Sequence, residues 1–432
     1  MNLIIHRGTN EIGGTCVELN SGKSRILLDF GMPLVTKSGK SFDFNPYKNL
    51  SVEELVAKGI LPDIKGVYNS NPEIDGVLIS HPHADHFGLM QYLYSKVPVW
   101  LGKATHEILK LNNIFLHQNN HISNPNYFEK NQPFQIGDFK VTPFWNDHSA
   151  FDAYSFLIES KGKSVFYSGD FRAHGRKKKA YKWFLNHAPA NVDCLLLEGT
   201  KIGRMAEQPK SEEKLEDLFT SLFKLSHSID FIYTSSQNID RLVTIYKACL
   251  NAGRTFVIDV YTANILETLS DFANLPSPLK GYKNLKVLFP YKITTSLFQR
   301  GFGHLANKFA EQKILKEEIS KNASDYVVLV RPSMKADLEK ISVNNGSLIY
   351  SMWEGYKTQK YTKDFLDWLT KKGFSIYDIH TSGHADIETL KEMANTINPK
   401  SIIPIHTFSK LDYKNIFSQK VLELNDNEEI RI

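Results

Sequence analysis

Cysteine is scarce, with three residues in 432 (Cys16, Cys194, Cys249) and no C-x-x-C pair among them. That excludes a disulfide framework and a cysteine-finger metal site, and it fits a reducing, intracellular and specifically cytoplasmic setting. Long apolar runs are also missing. Cys194–Leu197 is typical of the longest, far short of the ~18–20 residues a membrane span needs, so no membrane partner is expected. The apolar run Leu3–Ile5 is too short for the core of a signal peptide, and none is expected. Neither sign of charge dominates: 52 Lys and Arg against 47 Asp and Glu leave a net +5, which permits a phosphate-rich partner without requiring one. With 42% hydrophobic and 23% charged residues, the composition is that of a globular protein and excludes disordered, collagenous and coiled-coil classes. The length suits two or three domains at about 100–200 residues each.

What is present changes in texture along the chain. The first part reads as short strands between turns: Leu3–His6, Thr15–Leu19, Ser24–Asp29, Val77–Ser80, Phe139–Pro143, Ala153–Ser160, Ser164–Ser168 and Asp193–Glu198. Lys161-Gly162 marks a hairpin turn, and a helix is expected over Phe87–Ser95. From about Ser211 strands alternate with helices, among them Glu212–Leu225, Ile239–Asn251 and Thr262–Ala273. That alternation predicts an α/β unit with a mostly parallel sheet. A strand, a helix over Asp386–Ile397 and the strand Ser401–Ile405 follow Phe374.

The chemistry concentrates in Ser80–Gly88, SHPHADHFG, where His81, His83, Asp85 and His86 fall within six positions. Imidazole and carboxylate suit zinc and related divalent ions. In extended chain, alternate side chains share a face, so His81, His83 and Asp85 can converge, with His86 beside them. Four ligands exceed what one zinc with an open position needs, which points to a paired site. Three further candidates stand at the ends of apolar runs: His148, Asp170 and His406. Taken singly, each has a plainer reading, as a turn histidine, a turn former after Gly169 and a core histidine.

Together, His81-x-His83-x-Asp85-His86, then His148, Asp170 and His406, resemble the metallo-β-lactamase-fold hydrolases. The fuller resemblance is to their β-CASP nuclease branch, which holds the RNase J-like enzymes. Glu198 in LLLEGT, His384 in HTSGHAD and His406 in IPIHTF look like that branch's three added motifs, and SSQNIDR and YSMWEGY resemble stretches of its insert. The resemblance implies an α/β fold, a metallo-β-lactamase αββα sandwich with an inserted α/β β-CASP domain. It would divide the chain into a first part over 1–200, an insert over 201–372 and a second part over 373–432. Two departures stand out. Thr407 occupies the place where the family often has Gly after the last ligand, and its Cβ is expected to restrict that turn. The chain also ends soon after His406, so the further C-terminal domain of RNase J-like enzymes is expected to be missing.

The resemblance implies a metal-dependent nuclease, acting on single-stranded RNA, with two divalent ions as cofactors: zinc, or in its place manganese or magnesium. His81, His83 and His148 would hold one ion, Asp85, His86 and His406 the other, and Asp170 would bridge them. Asp29 would orient a loop histidine or a neighbouring amide. Asp85, His384 and Glu198 are the expected catalytic side chains, His384 as the general acid beside Glu198. Ser382, Gly383 and His380 are expected to bind a substrate phosphate, Ser382 and Gly383 through N–H groups just before a helix. Arg172, Arg176, Lys177, Lys178 and Lys179 are expected to grip a nucleic-acid backbone. Trp183 and Phe184 are expected in the core, with base stacking as the other reading. Alternatives are a DNA nuclease of the same branch, a small-molecule hydrolase such as a lactonase or thioesterase, and a non-catalytic nucleic-acid scaffold. Oligomerisation is left open.

Overall fold

The structure, a computed structural model, describes residues 1–36, 41–204 and 209–432. Its contacts divide the chain into two compact units. One comprises Met1–Lys110, Asn119–Gln208 and Gly383–Ile432; the other comprises Leu111–Gln118 and Pro209–Ser382.

The first unit is built on two seven-stranded sheets. In spatial order the first runs Glu429–Arg431, Asn2–Arg7, Cys16–Asn20, Arg25–Leu28, Gly76–Leu78, Val99–Leu101 and Pro125–Tyr127. The second runs Lys420–Val421, Ser401–Ile405, Cys194–Glu198, Lys163–Tyr167, Tyr154–Ser160, Phe139–Trp145 and Phe134–Ile136. The period of two along each strand sorts the side chains. Ile26 and Leu28 join the core between the sheets, with Val17, Phe156, Val165 and Ile403, while Leu27 faces the outer layer with Val77 and Phe87. On the far side Phe166, Leu195, Leu197 and Ile402 meet the helices Lys178–His187 and Ile387–Ile397 through Phe184, Tyr181, Leu390 and Met393. Helices on both outer faces of paired sheets give the αββα layering. Lys161 and Gly162, at φ 50° and 73°, make the tight turn joining Tyr154–Ser160 to Lys163–Tyr167.

The helix expected over Phe87–Ser95 is not there. A four-residue helix, Ala84–Phe87, takes its place, followed by a single 3-10 turn at Met90–Tyr92. Backbone hydrogen bonds explain the shift: Phe30 N–H donates to His86 O and Met32 N–H to Ala84 O, so the segment is tied to the chain after Arg25–Leu28. Gly31 makes that approach feasible, since a Cβ there would lie 1.7 Å from Asp85 O.

The second unit carries a six-stranded parallel sheet, ordered Leu285–Leu288, Thr255–Asp259, Tyr326–Leu329, Ile229–Tyr233, Gly346–Tyr350 and Phe374–Asp378. Strands buried on both faces read as continuous apolar runs, and Tyr326–Leu329 is buried throughout. Inside this unit Arg241 pairs with Glu212 at 3.0 Å and Arg254 with Asp230 at 3.2 Å. Among the described residues, no helix is long and apolar enough to cross a membrane.

Candidate metal centre

The seven expected donors meet at one edge of the first unit. Each sits where a strand or its following turn ends, apart from Asp85 and His86, which lie in the first turn of Ala84–Phe87. They form two groups, and in each the potential donor atoms lie within 4.8 Å of one another. One group is His81, His83 and His148; the other is Asp85, His86, Asp170 and His406. A third group, Asp170, Glu198, His384 and His406, overlaps the second.

The hydrogen bonds behind the rings decide what the rings offer. His148 Nδ1 lies 2.6 Å from Gly383 O, which only accepts, so Nδ1 carries the proton and Nε2 of the neutral ring presents a lone pair. Ser80 Oγ donates to Asp29 Oδ2 at 2.8 Å, which leaves it to accept from His81 Nδ1 at 3.0 Å. Thr200 Oγ1 donates to His406 O and accepts from His406 Nδ1 at 2.8 Å. His86 Nδ1 faces Asp29 Oδ2 at 2.7 Å. His81, His148 and His406 therefore turn an Nε2 lone pair inward, as metal-ligating imidazoles do, whereas both ring nitrogens of His86 face carboxylates and hold protons until a cation replaces the inner one.

What those ring nitrogens face bears on the chemistry of the donor set. His81 Nε2 and His148 Nε2 each lie 3.2 Å from His83 Nδ1, close to the ~3.3 Å that separates tetrahedral ligands about 2.0–2.1 Å from a zinc ion. His86 Nε2 faces Asp170 Oδ2 at 3.1 Å and His406 Nε2 faces Asp85 Oδ2 at 3.2 Å. Asp170 Oδ1 is buried without a hydrogen-bond partner among the described residues. The His406 lone pair set against Asp85 repels unless a cation lies between them, and between His86 and Asp170 a proton fills the same place, so the residues fit divalent metal.

Protonation follows the same division. Burial pushes His81 and His148 well below the usual imidazole range and His83 down to about 4, with neighbouring imidazoles adding to the shift at His81 and His148. Burial alone would also discharge His86, but Asp170, Asp29 and Asp85 outweigh it and raise it well above that range. Burial likewise opposes ionisation of Asp85 and Asp170, and the surrounding histidines reverse it, leaving Asp85 at about 2 and Asp170 well below the usual carboxylate range.

Asp29 is the hub behind the centre: besides His86 and Ser80 Oγ it accepts from Ser80 N–H at 2.7 Å and Tyr167 Oη at 2.6 Å. Asp29 and His406 both adopt left-handed backbone, at φ 58° and 55°, a conformation that costs non-glycine residues and gathers at functional sites. The strain expected at Thr407 thus falls on His406 instead. Thr407 is buried, its hydroxyl donating to Gly199 O and accepting from Ser409 N–H, both at 3.0 Å. Beside the centre, His384 Nδ1 lies 3.2 Å from Glu198 Oε2 and 3.6 Å from Asp170 Oδ2. Burial works against its charge, but those two carboxylates raise it to about 9. Glu198 is itself held by the N–H groups of Phe171 and Thr200.

Other expectations are corrected. Arg172 is fully buried and pairs with Asp147, whose carboxylate also accepts from Gly175 N–H. Its guanidinium braces the turn carrying His148 and is not open to a nucleic-acid strand. Arg176 and Lys177 are half-buried, and Lys178 and Lys179 exposed. Ser382 and Gly383 do not lie at a helix N-terminus: the helix starts at Ile387 and is capped by Asp386, which accepts from Thr389 N–H. His380 and Ser382 close the second unit after Phe374–Asp378, whereas Gly383 belongs to the first. A Cβ on Gly383 would lie 2.5 Å from Ser149 Oγ and 3.3 Å from His148 Cε1, so glycine lets its carbonyl reach His148. Phe184 is in the core as expected, but Trp183 is 37% exposed. Ser80, Thr200 and Tyr167 were not singled out from sequence; the first two stand inside the recognised motifs, and Tyr167 carries no local signal.

The layering and the paired donor groups define a metallo-β-lactamase-fold protein. Residues 45–214 match the model of the beta-lactamase superfamily domain, and residues 373–410 that of the Zn-dependent metallo-hydrolase RNA specificity domain. The resemblance to the RNase J-like branch is borne out by the curated relatives. Ribonuclease J of Helicobacter pylori strain 26695 is 23% identical over 92% of this chain and 55% of its own length. Ribonuclease J of Mycoplasma genitalium is 22% identical over 97% and 70%. The chain thus spans little more than half the length of the Helicobacter relative. A solved structure of a protein of unknown function from Enterococcus faecalis V583 shares the fold, with a TM-score of 0.80 at 22% identity over 99% of both chains.

Proposed function

We propose that this chain is a metal-dependent nuclease that hydrolyses phosphodiester bonds in single-stranded RNA. The observation that carries the reading is the inward turn of three imidazole lone pairs, from His81, His148 and His406, onto His83 and Asp85, with the buried Asp170 carboxylate beside them. The ribonuclease names of the relatives and the RNA specificity model over 373–410 support RNA as the substrate. Two divalent cations, zinc or in its place manganese or magnesium, would be held by His81, His83 and His148 and by Asp85, His86 and His406, with Asp170 shared. Bound there, they would supply Lewis acidity toward the phosphoryl oxygens and ease deprotonation of the attacking water.

The remaining work belongs to the chain. Asp85, ionised down to about pH 2, stays an acceptor that orients the attacking water. His384, raised to about 9 by the carboxylates of the metal-free centre and kept beside Glu198, is the group placed to donate to the leaving 3′-oxygen. Glu198 aims it and favours its reprotonation from solvent. Asp29, Ser80, Thr200 and the Gly383 carbonyl fix ring orientation, so that little reorganisation accompanies the reaction. Gly383 is kept as a contact for a substrate phosphate in the first unit, His380 and Ser382 as separate candidates in the second, and Arg176 and Lys177–Lys179 as contacts for its backbone.

The test is incubation of zinc- or manganese-loaded protein with end-labelled single-stranded RNA and DNA bearing 5′-phosphate or 5′-hydroxyl ends. Fragments from RNA that vanish with a chelator are expected. Metal-loaded protein that leaves every polynucleotide intact would refute the reading.

A further inference from the structure

The helix Lys178–His187 buries Ala180, Tyr181 and Phe184 and turns an unusual face outward. Lys178, Lys182 and Asn186 form one exposed row at spacing of four, and Lys179, Trp183 and His187 form the next. The Trp183 and His187 rings lie flat on one another, with centroids 4.2 Å apart and planes 10° apart. A hydrogen bond of 2.7 Å from His187 Nδ1 to Trp183 O fixes the pair. Along the segment itself charge is of one sign: Phe171–Val192 contains no Asp or Glu. Glu388 and Glu392 border the face from the helix Ile387–Ile397, which Tyr181 Oη contacts at Thr389 O.

The lysines crowd the start of the helix. Lys177 is the N-cap and gives no capping bond, Lys178 and Lys179 follow it, and the first turn has no acidic residue. Cations at the positive end of a helix oppose its dipole. Phosphates would reverse that penalty, and a flat, exposed aromatic pair offers a surface that a base can stack on and an acidic peptide does not need.

We propose that this face is a docking track for the single-stranded nucleic acid itself. Lys178, Lys179 and Lys182 contact successive phosphates, and the Trp183–His187 stack receives one base. The proposal rests on the nuclease reading and adds to it a site for strand outside the cleavage centre, on the helix that follows Asp170 in the chain.

The test uses the full chain with its metal removed by a chelator, so that binding is read without turnover. Fluorescently labelled single-stranded RNA, long and trinucleotide, is titrated against wild type, Trp183→Ala, Trp183→Phe and the double variant Lys179→Ala/Lys182→Ala. Trp183→Ala should weaken the long strand roughly 5- to 150-fold and leave the trinucleotide unchanged, with Trp183→Phe restoring most of the loss. The double variant should flatten the salt dependence of binding. Unchanged affinity of Trp183→Ala for long RNA, or no binding by wild type, overturns the proposal. Equal binding of polyglutamate with the same dependence on Trp183 also overturns it, in favour of an acidic protein partner. Trp183-dependent binding by a protein that cuts no RNA once metal is restored would sink the nuclease reading and leave the track standing. Cleavage by a protein whose binding ignores Trp183 would do the reverse.

Discussion

The two donor groups are neighbours built on opposite principles. His81, His83 and His148 are all imidazole, and burial keeps each of them neutral. Asp85, His86, Asp170 and His406 include two ionised carboxylates, and without a cation a proton on His86 offsets part of their charge. The first group is a preformed set of lone pairs. The second is a charge held together by whichever cation is available, a proton or a metal. A cation therefore enters the first group by displacing nothing charged, whereas in the second it must displace the His86 proton, so the second group's affinity should depend more steeply on pH.

The largest effect that would break this comparison is on turnover. His83→Ala removes the shared point of the first group and Asp85→Ala a carboxylate of the second; each should reduce RNA cleavage to background while circular dichroism shows the fold retained. Full activity in either variant would mean that one group suffices. Next comes His384→Ala, which should slow turnover by about 10²–10⁴-fold, the usual worth of a general acid. Metal content by elemental analysis should stay unchanged, and loss of metal would move His384 from proton donor to ligand.

A smaller effect should separate the groups. Asp29→Asn keeps a residue type tolerant of left-handed backbone but removes the charge behind His86, and it should weaken metal in the second group roughly 10–100-fold. The first group, which Asp29 reaches only through Ser80, should titrate as in wild type. Equal loss at both groups would show that Asp29 holds the whole centre.

The donors were legible in the sequence because each is a residue type that carries chemistry and sits in a recognisable string. Their supports were less so. The partner of His148 is a backbone carbonyl, which every residue has, and only the crowding around Gly383 reveals why glycine stands there. RAHGRKKK reads as one charged run, yet Arg172 turns inward to Asp147 while Lys178 and Lys179 turn outward, a division set by the turn after Asp170 and not by composition. Trp183 and Phe184 are adjacent aromatics, and helical phase puts one in solvent and the other in the core. The helix expected over Phe87–Ser95 followed apolar spacing, whereas the observed one begins three residues earlier, where Asp85 and His86 are needed.

Proton linkage gives the first group and His86 opposite signs in metal-free protein, while Asp85 and Asp170 add to the loss on acidification below the usual carboxylate range. The first group binds fewer protons folded than unfolded, so its contribution to stability should fall as pH drops below 6.5 and continue falling to about 4, where His83 titrates. His86 binds its proton more tightly when folded, so its contribution is complete below 6.5 and is lost as pH rises through its elevated value. Melting temperature against pH in chelator should show both limbs, and His83→Gln should flatten the acid limb alone. Saturating zinc should blunt both, since bound metal replaces the protons that drive them.

The smallest effect tests the strained end of the second group. Thr407→Val keeps shape and volume but strands the Gly199 carbonyl and the Ser409 N–H, at a cost of about 1–3 kcal/mol. His406 holds its left-handed conformation next to those bonds, so the loss should also loosen its Nε2 and lower metal affinity in the second group by less than Asp29→Asn does. If the variant loses stability and keeps its affinity, the turn serves the fold alone, and His406 is held by Thr200 without help from Thr407.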